Sequence, residues 1–176
     1  MNSSVENHDP FQSSEFKENL DVLRETYLFS KLPMEPLKVF AYLCTKEIHR
    51  AGDFLFRQGD EDDQARILLS GTARLIRHNP DGGETALREY GPRDFIGAMS
   101  LLANVTRLYS LEAVTDTTCL ALDRERFVRT LRQFPGIAPM VVQALAEQIH
   151  AWEEKLLLHD VVHCRRCGAI VGISLI

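Results

Sequence analysis

The chain has no long apolar run, few cysteines, one tryptophan and no surplus of basic residues. Each absence removes a class of protein. A membrane-spanning helix needs about 20 consecutive apolar residues, and no stretch approaches that. Cys44, Cys119, Cys164 and Cys167 are too few and too irregular for the disulfide framework of a secreted domain. The formal net charge is -5, from 20 Lys and Arg against 25 Asp and Glu, so no basic field draws nucleic acid to the whole molecule. The polar start MNSSVENHDP lacks the charged-then-apolar order of a secretion signal. The expected compartment is the cytoplasm, with reduced thiols and no membrane partner.

Catalytic patterns are missing too. The six histidines are His8, His49, His78, His150, His159 and His163. A β-barrel metalloenzyme needs closely spaced histidines on facing strands; no H-x-H pair exists, and only His78 falls in the strand-rich region. There is no nucleophile elbow and no P-loop lysine motif. The chain is read as a non-enzyme that requires no cofactor.

What is present suffices for a core: 45% hydrophobic and 26% charged residues in a chain of 176. Residues 1–14, rich in Ser, Asn and acids, read as a disordered lead-in. Apolar residues at helical spacing (Phe16, Leu20, Leu23, Tyr27) predict a helix from Phe16 to Phe29. A second helix after Pro36 would bury Leu37, Phe40, Leu43 and Cys44. From Gly52 to Asp123 the texture changes. Turn signals at Gly52, Gly59, Gly71, Gly82-Gly83 and Gly91-Pro92 separate strand-length runs at Phe54–Phe56, Ile67–Leu69, Ala73–Ile76 and Thr85–Tyr90. Two more strands fall near Leu111–Val114 and Cys119–Leu122. That spacing reads as an all-β sandwich or barrel. Arg124 to Phe134 is then an amphipathic helix stopped by Pro135-Gly136, and a long helix begins near Pro139.

In that last helix Val142, Leu145, Ile149, Trp152, Leu156, His159 and His163 recur at alternating steps of three and four. Such a seam suits a partner helix and predicts a parallel homodimer; the alternative is that the same face packs on the β-domain.

The order of these elements resembles the cyclic-nucleotide-binding domain of the cAMP-receptor and fumarate-nitrate-regulator family. The residues carrying it are LFSKLPMEPL (28–37), AGDFLFRQGDEDD (51–63), LLSGTARLIR (68–77), YGPRDFIGAMSLL (90–102) and LALDRERFVRTL (120–131). The resemblance implies a mainly β fold with flanking helices. This is a double-stranded β-helix, a jelly-roll-like β-roll, followed by a long C-terminal dimerisation helix. The expected organisation is roll with N-terminal helices over 15–136, helix over 137–163 and tail over 164–176.

It also implies a ligand, cAMP or cGMP or a related small anion, held by a short helical turn and loop with an arginine for the phosphate. Guanidinium suits that task because its donors are planar and paired. By resemblance the ligand-binding residues are Gly97, Ala98, Met99, Arg107, Leu108, Tyr109 and, from the long helix, His150 beside Ile149. Two departures stand out. Ala98 occupies the place of the family's ribose-binding Glu, and Leu108 replaces a small or hydroxyl residue. Losing a hydrogen bond to a charged acceptor costs about 1.5–3 kcal/mol, so sugar discrimination should be poor, and Leu108 should crowd and dry the phosphate end.

The family's transcription factors continue into a helix-turn-helix. Here VVHCRRCGAIVGISLI (161–176) is too short for one, so the chain is not expected to bind DNA. Cys164 and Cys167 form a C-x-x-C pair after His159 and His163. These four are the candidates for Zn²⁺ or thiol redox chemistry, although the default reading assigns no metal. Two functions stay open: a regulatory sensor signalling through its dimer helix, or a degenerate interaction or redox/metal-sensing module that binds no nucleotide.

Overall fold

The computed structural model describes residues 14–158, with side chains described to Glu154. The expected lead-in up to residue 13 and the tail after Leu158 lie outside the described residues, with the candidate ligands His159, His163, Cys164 and Cys167.

Two helices come first, α1 (Ser14–Glu25) and α2 (Met34–Leu43). The α1 face Phe16, Asn19, Val22 and Leu23 is buried, and Asn19 Nδ2 donates to the Ala41 carbonyl at 3.2 Å, tying α1 to α2. The helix ends at Glu25, short of the predicted Phe29. Residues 26–32 instead form consecutive turns, in which the Thr26 hydroxyl donates to the Val22 carbonyl.

Eight strands follow: β1 (Thr45–His49), β2 (Phe54–Phe56), β3 (Gln64–Ser70), β4 (Ala73–His78), β5 (Glu84–Tyr90), β6 (Phe95–Ile96), β7 (Ser110–Ala113) and β8 (Thr117–Asp123). They form two four-stranded sheets with orders β1-β8-β3-β6 and β2-β7-β4-β5, every pairing antiparallel. This is the β-roll. Corners between strands need backbone that L residues avoid: Gly71, between β3 and β4, has φ +83, and a Cβ there would collide with the Asp116 carbonyl.

Side chains alternate across the first sheet. Along β3, Ala65 and Ile67 join the core under the helices, whereas Arg66 and Leu68 turn toward the second sheet. Along β8, Leu120 and Leu122 face the helices and Cys119 faces inward. The helix side is closed by Phe29, Phe40 and Phe127, with Phe40 and Phe127 stacked at 5.5 Å.

The short helix α3 (Ala98–Leu102) interrupts the strands. Next come α4 (Arg124–Gln133), capped by Asp123 Oδ1 accepting from the Arg126 amide at 2.8 Å, a 3-10 turn at Pro135–Ile137, and α5 (Ala138–Leu158). Val141 and Ala144 of α5 are buried against the body. Of the seam residues, Val142 and Ile149 are exposed, Leu145 and Trp152 are half-buried, and the side chain of Leu156 is not described. No described helix is long and apolar enough to cross a membrane.

Candidate ligand-binding site

Gly97 and Arg107 meet. Gly97 takes a left-handed conformation, φ +89, at the start of α3. A Cβ on it would lie 2.8 Å from Arg107 Nη2, 2.9 Å from the Gln64 carbonyl and 3.0 Å from Arg107 Nη1. Glycine is therefore required twice, for the turn and for the guanidinium laid across its Cα. The group that lies against this glycine is Arg107.

Arg107 is 5% exposed, so it is not a solvated loop arginine. Its Nη2 donates to Asp62 Oδ2 at 2.8 Å and to the Gln64 carbonyl at 2.6 Å, and its Nε reaches Asp62 Oδ2 at 3.2 Å. The guanidinium carbon sits 4.1 Å from the centroid of the Phe56 ring. Nη1 has no hydrogen-bond partner among the described residues. Burial lowers the Arg107 pKa from its ordinary value, and Asp62 only partly opposes that; an arginine stays charged regardless.

Backbone bonds pin the site from two sides. The amide of Gly59 donates to the Arg107 carbonyl at 2.8 Å, the amide of Arg107 donates to the Asp60 carbonyl at 2.8 Å, and Glu61 pairs with Thr106 in an isolated bridge. The same loop reaches α4, since the Arg124 amide donates to the Asp63 carbonyl at 2.9 Å.

The remaining predicted residues spread around this centre. Ala98 is buried at the first position of α3, and its methyl offers no acceptor. Met99 is half-buried. Tyr109 is half-buried and packs against the inter-sheet core. Leu108 is 65% exposed beside the buried Arg107, in the bend that precedes β7. His150 lies on an exposed face of α5, 3.5 Å from Glu154.

The residues that surround Arg107 were not singled out from the sequence. Arg66, 6% exposed, donates from Nη1 to Asp62 Oδ2 at 2.7 Å, from Nη2 to Gln64 Oε1 at 2.6 Å and from Nε to Glu47 Oε2 at 3.0 Å. Burial would raise the Asp62 carboxyl, but the charges and hydrogen bonds of Arg66 and then Arg107 overcome it and hold it below the usual carboxylate range. Burial likewise works against the Arg66 charge, and Asp62 and Glu47 reverse the outcome, raising its pKa. One signal was available: an arginine in the middle of the apolar run Ala65–Leu69, on the face shared with Leu68, needs a buried acid.

Glu47 brings a second correction. His49, placed outside the strand region by sequence, stands on β1, two residues from Glu47 and on the same face; Cys119 is the cross-strand partner of Glu47. Their donor atoms lie within 4.8 Å of one another. The shared atom, Glu47 Oε2, already receives Arg66 Nε at 3.0 Å, with His49 Nε2 at 3.4 Å and Cys119 Sγ at 3.7 Å. Burial pushes the Cys119 thiol up to about 12, so the trio reads as a hydrogen-bonded cluster around a paired carboxylate. A separate cleft of about 540 Å³ between α1 and β3, lined by Lys17, Glu18, Asp21 and Arg93 among others, includes none of the expected ligand residues.

Comparison with known proteins agrees with this architecture. Residues 46–134 match the cyclic nucleotide-binding domain family. The cyclic AMP receptor protein of Thermus thermophilus is 33% identical over 149 residues, covering 85% of this chain and 69% of that protein. The solved N-terminal domain of a transcriptional regulator from Streptomyces coelicolor superimposes with a TM-score of 0.70 at 29% identity, over 80% of this chain and 98% of that one. The chain belongs to the cyclic nucleotide-binding domain family. Lysophospholipase NTE1 of Chaetomium globosum is 31% identical over 101 residues, but these are 57% of this chain and only 7% of that protein. This chain thus spans less than a tenth of the lysophospholipase, and the match lies in the cyclic nucleotide-binding domain, not in the catalytic part.

Proposed function

We propose that this chain is a regulatory receptor module, not an enzyme, that takes a cyclic nucleotide or a similar small phosphate-bearing anion at Arg107. The observation that carries the reading is the buried guanidinium laid across Gly97, with one nitrogen, Nη1, uncommitted among described residues. A cation held in a site largely screened from water attracts an anion far more strongly than one on the surface. The family match and the likeness to a cyclic AMP receptor protein support a cyclic nucleotide as the class to try first. Ala98 leaves the sugar hydroxyl without a carboxylate partner, so discrimination between sugars should be weak.

The signal would pass by population shift. The loop at residues 59–63 is bonded to Arg107 on one side and to the first residue of α4 on the other. α4 leads through a single 3-10 turn into α5. Val142 and Ile149, exposed one heptad apart on α5, fit a homodimer seam, with the cytoplasm as the setting.

Calorimetric titration with cAMP, cGMP and cyclic dinucleotides tests the reading. Saturable binding that Arg107→Ala abolishes supports it; silence at millimolar ligand contradicts it. The second reading, a scaffold without a nucleotide role, draws on one observation: Asp62 already holds the Nε and Nη2 of the arginine.

A further inference from the structure

Two guanidinium groups and two carboxylates alternate through the interior of the roll: Arg107, Asp62, Arg66 and Glu47. Asp62 is the centre of the chain. Its Oδ2 receives three N–H groups, one from Arg66 and two from Arg107, while its Oδ1 accepts the Gln64 amide at 3.0 Å. Its side chain is 11% exposed, against 4% for Arg107 and 7% for Arg66. The charges are matched in number, so the site is close to neutral before any ligand arrives.

A phosphate-bearing ligand that reaches Arg107 meets the Asp62 carboxylate as a neighbour of like charge. Both side chains are largely buried, so the repulsion is weakly screened. The carboxylate also holds the guanidinium edge formed by Nε and Nη2, the edge best shaped for paired acceptors. Releasing that edge would not orphan Asp62, because Arg66 Nη1 at 2.7 Å and the Gln64 amide remain bound to it. Arg107 in turn would keep the Gln64 carbonyl. The exchange is local and leaves each buried group with a partner.

We propose that Asp62 is a resident counter-ion of the ligand site, competing with the anion for Arg107 and setting the affinity of the site below what the arginine alone would give. The proposal rests on reading Arg107 as the ligand contact. Its first consequence is that neutralising Asp62 strengthens anion binding. Its second is that binding takes up a proton or tightens as pH falls, since a protonated Asp62 no longer opposes the incoming charge. The groups facing Asp62 are Arg66 and Gln64 from β3 and Arg107 from the stretch before β7. Beyond Arg66 stand Glu47 with His49 and Cys119, and Asp60 acts on Arg107 from the same loop.

The test uses the full chain and cAMP as the probe, titrated by calorimetry against wild type, Asp62→Asn, Arg107→Ala and the double variant. Asp62→Asn keeps the size of the side chain and an oxygen for Arg66; circular dichroism checks that it folds. The expected result is a gain in affinity of roughly tenfold or more for Asp62→Asn. Binding should be lost in both variants that lack Arg107. Wild-type affinity should rise toward acidic pH, and that rise should vanish in Asp62→Asn, which a purely structural aspartate would not produce. Unchanged or weaker binding by folded Asp62→Asn, with Arg107→Ala still abolishing binding, overturns the counter-ion while leaving the receptor reading intact. No binding by any variant, Asp62→Asn included, overturns both.

Discussion

The two faces of the sheet β1-β8-β3-β6 bury different chemistry. Its helix-facing side packs mainly apolar residues, among them Leu120 and Leu122 against Phe29, Phe40 and Phe127. Its inward side carries Arg66, Glu47 and Cys119 beside Leu68, and it opens onto Asp62 and Arg107. The first face gains free energy simply by excluding water, about 1.5–3 kcal/mol for each large side chain fully buried. The second gains little from burial and has to satisfy every polar group that it hides, because a desolvated charge without a partner is costly. A protein that needed only stability would fill both faces with hydrocarbon. The asymmetry is what the proposed function, a ligand site inside the roll, would require.

Perturbations on the two sides should separate accordingly. The largest loss is expected for Phe127→Ala, which empties a fully buried site between Phe29 and Phe40. Chemical denaturation should register about 4 kcal/mol, with ligand affinity of the remaining folded protein unaltered. A change in affinity would blur the division between the faces. Arg66→Ala comes next, at about 3 kcal/mol, since it removes the guanidinium partner of Glu47 and leaves Asp62 to Arg107 and the Gln64 amide. Here affinity should change as well as stability, and a variant as stable as wild type would mean that the inward charges carry no structural load.

Asp123→Ala serves as a calibration away from both faces. Removing the α4 cap should cost about 1 kcal/mol by denaturation, without touching binding. The smallest effect is the acid limb of stability. Asp62 titrates below its unfolded value, so its stabilisation is present above the ordinary carboxylate range and fades as pH falls through the folded value. Asp62→Asn should flatten that limb in acid denaturation curves; an unaltered limb would assign the acid sensitivity to other carboxylates.

The helix-facing side was the legible one. Phe16, Leu23, Leu37, Phe40, Leu120 and Leu122 announce themselves by period, and glycines at 52, 59 and 71 punctuate the strands between. β1 escaped notice because Thr-Lys-Glu-Ile-His presents no apolar face: Ile48 is 77% exposed while Glu47 and His49 turn inward. β6, only two residues long, has no period to read. Gly97 and Arg107 were found through a resemblance and prove to be in contact. Asp62 was hidden within Asp60-Glu61-Asp62-Asp63, a run that looks like a solvated turn. What distinguishes it is a tertiary partner more than forty residues away in sequence, and no local pattern encodes that.

The most direct measurement follows the Arg107 side chain itself, by nuclear magnetic resonance of its Nε–H group while cAMP is added. Held by Asp62 and screened from solvent, that proton should give a resolved signal that shifts in step with ligand saturation and disappears in Arg107→Lys. Saturable cAMP binding with the Arg107 signal left in place would contradict the account, because the anion would then be lodged somewhere other than on this guanidinium.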